Sequence, residues 1–115
     1  MEEKENLVPM EEKVFTVTKK EVEEAIVTES YWKIGNKTTV CLLILNTGFE
    51  VVGSSAPVDP KTFDFTMGKK IAKERAVDQV WAHLGSIVQW QKAMYEHELA
   101  MREAETKEVI PPATV

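Results

Sequence analysis

"YWKIGNKTTVCLLILNTGFEVVGSS", residues 31–55, decides the fold. Tyr31 to Ile34 reads as a strand, Gly35-Asn36 as a turn, and Thr38 to Leu45 as a β-rich run. Asn46-Thr47-Gly48 is a second turn and Phe49 to Val52 the returning strand. The central run places Val40, Leu42 and Ile44 on one face and Cys41, Leu43 and Leu45 on the other, because strand side chains alternate. A strand apolar on both faces must be covered on both. The chain's own helices are expected to cover one face; the second calls for a partner subunit, another element or a ligand.

Upstream, Val14 to Val17 alternates in the manner of a short strand or extended arm. Thr18-Lys19-Lys20-Glu21 then has the form of a capping box, with Val22, Ala25 and Ile26 facing inward. Val27-Thr28 would also suit a strand. Downstream, Asp59-Pro60 combines a side-chain cap with proline at a first helical position. From about Thr66 to Leu84, Met67, Ile71, Val77, Val80, Trp81 and Leu84 fall near one helical face. Gly85-Ser86 marks a break or kink, after which Ile87, Val88, Trp90, Met94 and Met101 resume the period. Trp90 and Tyr95, with Met94 and Met101, suit either a core or an intersubunit seam. The fold class is therefore α+β, an N-terminal antiparallel β-sheet packed against C-terminal α-helices. Residues 1–13 read as a flexible acidic arm, 14–105 as one domain and 106–115 as a tail containing Pro111-Pro112.

With 14 basic and 19 acidic residues among 115, the net charge of −5 disfavours polymeric nucleic acid as a partner. The single cysteine, Cys41, allows no internal disulfide and suits a reducing cytosol. No charged-then-apolar leader and no membrane-length apolar run is seen, so a soluble intracellular protein with no membrane partner is expected.

Catalysis has little support. A nucleophile needs an oriented base, and the only histidines, His83 and His97, stand 14 positions apart, about 21 Å along a continuous helix. Cys41, inside an apolar strand, reads as a small hydrophobe. No catalytic residue, metal site or cofactor is assigned.

The chemistry gathers at the sheet-to-helix corner, "SSAPVDPKTFDFTMGKKIAKERAVDQVW", residues 54–81. Lys69, Lys70, Lys73 and Arg75 surround Glu74. They form either a solvated face, with Lys70 and Glu74 paired at i,i+4, or a phosphate site at a helix start. Phe63 and Phe65 are either staples or stacking planes for a base. Asp59 and Asp64 are either caps or partners for ribose hydroxyls. Ser54 and Ser55 add two hydroxyls. No glycine-rich phosphate loop is present.

"TTVCLLILNTGFEVVGSSAPVDPKTFDFTMGKKIAKERAVDQVW", residues 38–81, resembles a small tailed-phage protein family typified by proteins of phages N4 and Sf6. The shared elements are a Thr-Val-Cys strand, a Gly-Phe turn, a Ser-Ala-x-Val-Asp-Pro corner, Phe-Asp, a Gly-Lys helix start and a later Trp. Pro57 stands where the family's corner often has Cys. The chain also resembles the first type of Thoeris anti-defence protein. That resemblance implies a phage sponge, a homo-oligomer (dimer or hexamer) that binds a cyclic ADP-ribose-type immune signal without cleaving it, in the cytoplasm of the infected host. It also implies cyclic oligonucleotide binding at separate sites in some members. Expected ligand contacts are Phe63 or Phe65 on the base, Lys69, Lys70 and Arg75 on phosphates, and Ser54, Ser55, Asp59 or Asp64 on ribose. The alternative is a small phage early protein acting through a host protein.

Overall fold

A computed structural model describes residues 13–109, with side chains to residue 105. The expected arm and tail otherwise lie outside the described residues. The chain forms two compact units: one is residues 17–86, and the described part of the other is residues 13–16 with 87–109.

In the first unit, Thr18 opens helix α1 (Lys19–Ala25) with the capping box its sequence announces. The Glu21 N–H donates to the Thr18 hydroxyl at 3.2 Å and the Thr18 N–H to the Glu21 carboxylate at 2.9 Å. Val22 and Ala25 are buried, as their spacing predicts. No strand forms over Val14 to Val17; the backbone there has no regular structure.

Three strands follow, β1 (Ile26–Ile34), β2 (Thr38–Leu45) and β3 (Glu50–Ser55), paired antiparallel in the order β1-β2-β3. Both turns place glycine at positive φ, Gly35 at 68° and Gly48 at 90°, a conformation that other L-residues adopt at a cost. β1 begins earlier than the Tyr31 start read from sequence, because its ladder with β2 runs from Ile26 opposite Leu45 to Ile34 opposite Thr38. Tyr31 lies opposite Cys41, and Cys41 opposite Gly53. Thr39, Cys41, Leu43 and Leu45 on β2, with Val51, Gly53 and Ser55 on β3, are buried on one face. Val40, Leu42 and Ile44 are half-buried on the other, beside Trp32, Ile34 and Val52, all about half exposed. The described chain thus covers one face of the doubly apolar strand.

A 3-10 turn (Pro60–Thr62) capped by Asp59 leads to helix α2 (Phe65–Val109). α2 is continuous through Gly85-Ser86, so of the break or kink read there the break does not occur. A helical glycine costs about 1 kcal/mol relative to alanine, too little to stop a helix of this length. Its buried row also differs from the sequence reading. Gly68, Ala72, Ala76 and Val80, spaced at i,i+4, are buried, whereas Met67 is 53% exposed and Trp81 is 38% exposed. Ile71, Val77 and Leu84 flank the row, half-buried. Large residues are excluded because the helix backbone meets the sheet directly. A Cβ on Gly53 would fall on Ala72 O and Ala76 N and lie 3.0 Å from Ala76 Cα; one on Gly68 would fall on Thr39 Oγ1.

In the second unit, Phe15 and Tyr95 pack with ring centroids 5.7 Å apart, and Lys13 Nζ sits 4.9 Å from the Tyr95 ring. Trp90, Met94 and Met101 remain exposed, and Lys92–Glu96 and Arg102–Glu98 form i,i+4 ion pairs at 3.0 and 2.9 Å.

Two glycine substitutions separate the roles. Gly53→Ala forces helix and sheet apart and is expected to lower stability by about 1–3 kcal/mol or more, the range for overpacking. Gly85→Ala meets nothing within 4 Å and is expected to stabilise by up to about 1 kcal/mol. Urea denaturation of both variants measures the contrast.

Candidate functional site

The corner between β3 and α2 is built by two caps. Asp59 accepts from Lys61 N–H at 2.9 Å, which turns the chain after Val58. Asp64 accepts from Thr66 N–H at 2.9 Å and Met67 N–H at 3.3 Å, which starts α2. Both aspartates therefore perform the capping role read for them. Their caps hold Phe63 between the two helical starts and leave a cleft of about 190 Å³ lined in part by Ser55, Phe63, Asp64 and Arg75.

Four of the expected ligand contacts are thus brought together. The others are not in the lining. Phe65 packs against Phe63 with centroids 6.2 Å apart, and its ring carries Lys69 Nζ at 4.9 Å; the same ammonium is 5.7 Å from the Tyr31 ring. Lys33 Nζ lies 4.8 Å from the Phe63 ring. The two phenylalanines therefore each present one face to a lysine, and a base stacking on either ring would use the other face or displace the cation. Lys70 is exposed, Asp59 faces its own turn, and Ser54 contributes its carbonyl.

That carbonyl accepts from Arg75 Nη1 at 2.8 Å, and the Val52 carbonyl accepts from Gln79 Nε2. Arg75 and Gln79 are one turn apart on α2, and they occupy two outward backbone acceptors of edge strand β3. Arg75 keeps further N–H donors for a second partner, since a guanidinium carries five. Beneath the helix start, the Thr39 hydroxyl is buried without a hydrogen-bond partner among the described residues, and lies where a Cβ on Gly68 would stand.

A second cleft, about 400 Å³, opens between α1, β1 and α2. Val22, Ile26, Val77 and Trp81 give it apolar walls, and a Lys73–Glu29 ion pair at 2.9 Å lies within it. The Tyr31 hydroxyl also donates to Glu29 at 2.9 Å. These bonds, Lys73 first, hold the Glu29 carboxyl below its usual range against a smaller opposing effect of burial. Burial, and then the bond to Glu29, pushes the Tyr31 phenol up. Burial likewise pushes the Cys41 thiol up.

Sequence reasoning missed this cleft. It assigned Trp81 to the core and Lys73 to a cation cluster, and passed over Glu29. Alternation alone puts Glu29 and Tyr31 on one face of β1, but nothing in the sequence says that Lys73 of α2 comes to rest above them. Among the described residues, no three His, Cys, Asp or Glu side chains converge as a metal-holding group, and no helix is long and apolar enough to cross a membrane.

Comparison with protein-family models matches residues 17–91 to the Phage protein (N4 Gp49/phage Sf6 gene 66) family. The match covers well over half of the chain, and this protein belongs to that family. It spans the sheet, the corner and both clefts. No curated protein and no solved structure matches the chain.

Glu29 supplies a pH signature. A carboxylate held low in the folded chain contributes stability above the ordinary carboxylate range and loses it as pH falls through its folded value. With a side chain 40% exposed, the effect is screened and is expected to stay below about 1 kcal/mol. Glu29→Gln should flatten the fall of stability on acidification from neutral pH while changing little at low pH, as measured by denaturant unfolding across pH.

Proposed function

We propose that this member of the N4 Gp49/Sf6 gene 66 family is an anti-defence protein. It sequesters a cyclic ADP-ribose-type immune signal, and cyclic oligonucleotides as well, in the host cytoplasm without cleaving them. The observation that carries the reading is the corner cleft, where an aromatic plane, a guanidinium, a carboxylate and a hydroxyl converge within one small concavity. Each matches a part of such a ligand. The open face of Phe63 takes the adenine by stacking. The N–H groups of Arg75 not engaged with Ser54 take a phosphate. Ser55 and the second oxygen of Asp64 take ribose hydroxyls. Lys69 and Lys70, outside the lining, favour anion approach through the local field.

Sequestration rather than turnover is supported by how the reactive groups are used: Asp64 is engaged as a cap and Cys41 is buried inside the sheet. At about 190 Å³ the cleft is smaller than the roughly 300–1,000 Å³ usual for a ligand pocket. A second copy would supply the missing wall, which fits a homo-oligomer, dimer or hexamer. A second reading, contact with a host protein, is favoured by the exposed Trp90, Met94 and Met101 on α2.

Calorimetric titration with cyclic ADP-ribose isomers and cyclic dinucleotides, followed by heat denaturation and identification of what is released, tests the proposal. Tight binding with ligand recovered whole is expected; absence of binding to all of them would leave the host-protein reading. Phe63→Ala and Arg75→Ala should each weaken binding at least tenfold, and Arg75→Lys should restore little because a lysine lacks the planar fork. Phe65→Ala, outside the lining, should cost less than Phe63→Ala.

A further inference from the structure

The two edges of the sheet are finished differently. On β3, the carbonyls of Val52 and Ser54 are taken by Gln79 and Arg75 of α2. On β1, no side chain or loop among the described residues bonds the backbone of Glu29, Tyr31 or Lys33. β1 is nine residues long, contains neither proline nor glycine, and exposes Val27, Trp32 and Ile34. A long edge of that kind is a template for another strand.

The ladder fixes which groups are free. Backbone groups of successive residues in an antiparallel strand point alternately to the two sides. Val52 and Ser54 point away from β2, so Val51, Gly53 and Ser55 bond to it. On β2, Thr39, Cys41 and Leu43 therefore face β3, and Val40, Leu42 and Ile44 face β1. Their partners Trp32, Ser30 and Thr28 are turned inward. The free N–H and C=O groups of β1 are then those of Glu29, Tyr31 and Lys33.

We propose that β1 pairs antiparallel with β1 of a second copy, about a two-fold axis at Tyr31, joining two three-stranded sheets into one of six. The charges select that register. Centring on Tyr31 sets Glu29 opposite Lys33 of the second copy, and Lys33 opposite its Glu29, on the helix-covered face. Centring on residue 29 or 33 would instead set like charges opposite each other. With Tyr31 at the centre, all three outward residues form hydrogen-bonded pairs. Ser30 meets Trp32 of the second copy on the other face, and Thr28 meets Ile34, extending the apolar surface of Val40, Leu42 and Val52 across the junction. Glu29 has lone pairs beyond those used by Lys73 and Tyr31, so the added lysine completes its shell without displacing either. This pairing lies at the sheet edge opposite the corner cleft and needs no ligand, so sedimentation tests it separately from the calorimetry.

The test is sedimentation of the full chain without ligand, joined to amide hydrogen exchange. The native protein should be a dimer or an even multiple, with the amides of Glu29, Tyr31 and Lys33 protected. Lys33→Pro removes an outward donor that the isolated chain does not use, so it should keep the native far-UV spectrum while associating at least tenfold more weakly. Should that variant fail to fold, Lys33→Glu, which opposes Glu29 of the second copy, provides the same readout. A native monomer throughout the micromolar range would overturn the proposal. So would unchanged association in the folded variant, or free exchange of those three amides in an assembled native protein.

Discussion

The direct seating of helix backbone on sheet backbone is the constraint from which the rest follows. Gly53 lacks a side chain where Ala72 O and Ala76 N lie, and Gly68, Ala72 and Ala76 are small where the sheet rises toward them. Ordinary helix-on-sheet packing interposes a layer of large side chains; this pair of elements has almost none along its central row. The large residues are displaced to the flanks, where Ile71, Val77 and Trp81 form the walls of clefts. Tight contact at the centre and concavity at both sides are therefore two consequences of one arrangement.

The same closeness explains how α2 can finish the β3 edge. Arg75 and Gln79 stand one turn apart, and their side chains reach the carbonyls of Ser54 and Val52, which are spaced two residues along the strand. A helix held farther away would leave those acceptors to water or to another chain. Arg75 is thereby given a fixed position beside the corner, and its guanidinium enters the cleft already oriented. The corner itself needs the caps of Asp59 and Asp64, because the chain must leave β3, turn through a single 3-10 helix and start α2 with only nine residues between Ser55 and Phe65.

Much of the sheet was legible in the sequence because its signals are local. Alternation fixed the faces of β2, the glycines at 35 and 48 marked both turns, and Thr18-to-Glu21 announced the α1 cap. The α2 face was misread for a physical reason. Periodicity sums large apolar residues, whereas the buried row here is glycine and alanine, which carry little hydrophobic signal and become informative only when a glycine on the opposing strand is known. At Gly85-Ser86 the sequence left a break and a kink both open, because a glycine's modest propensity penalty does not by itself say whether a helix stops. At the site, Ser55, Phe63, Asp64 and Arg75 are close in sequence and could be grouped from it. Glu29, Tyr31 and Lys73 are distant in sequence, and their meeting is fixed only by the helix–sheet register.

That register also links the apparently separate clefts. Lys73 and Arg75 are two residues apart on α2 and so point to opposite sides of the helix, Lys73 toward β1 and Glu29, Arg75 toward β3 and the Ser54 carbonyl. A cation group that reads as one positive patch in sequence is divided by the helix into two anchors on opposite edges of the sheet. Lys73 is neutralised by Glu29, whereas Arg75 is anchored on a neutral carbonyl and keeps its charge. An anion at the corner would have the remaining guanidinium donors to use, with the Arg75–Ser54 bond left in place to close the strand edge. Under the proposed function, anion binding and edge protection would then rest on one side chain.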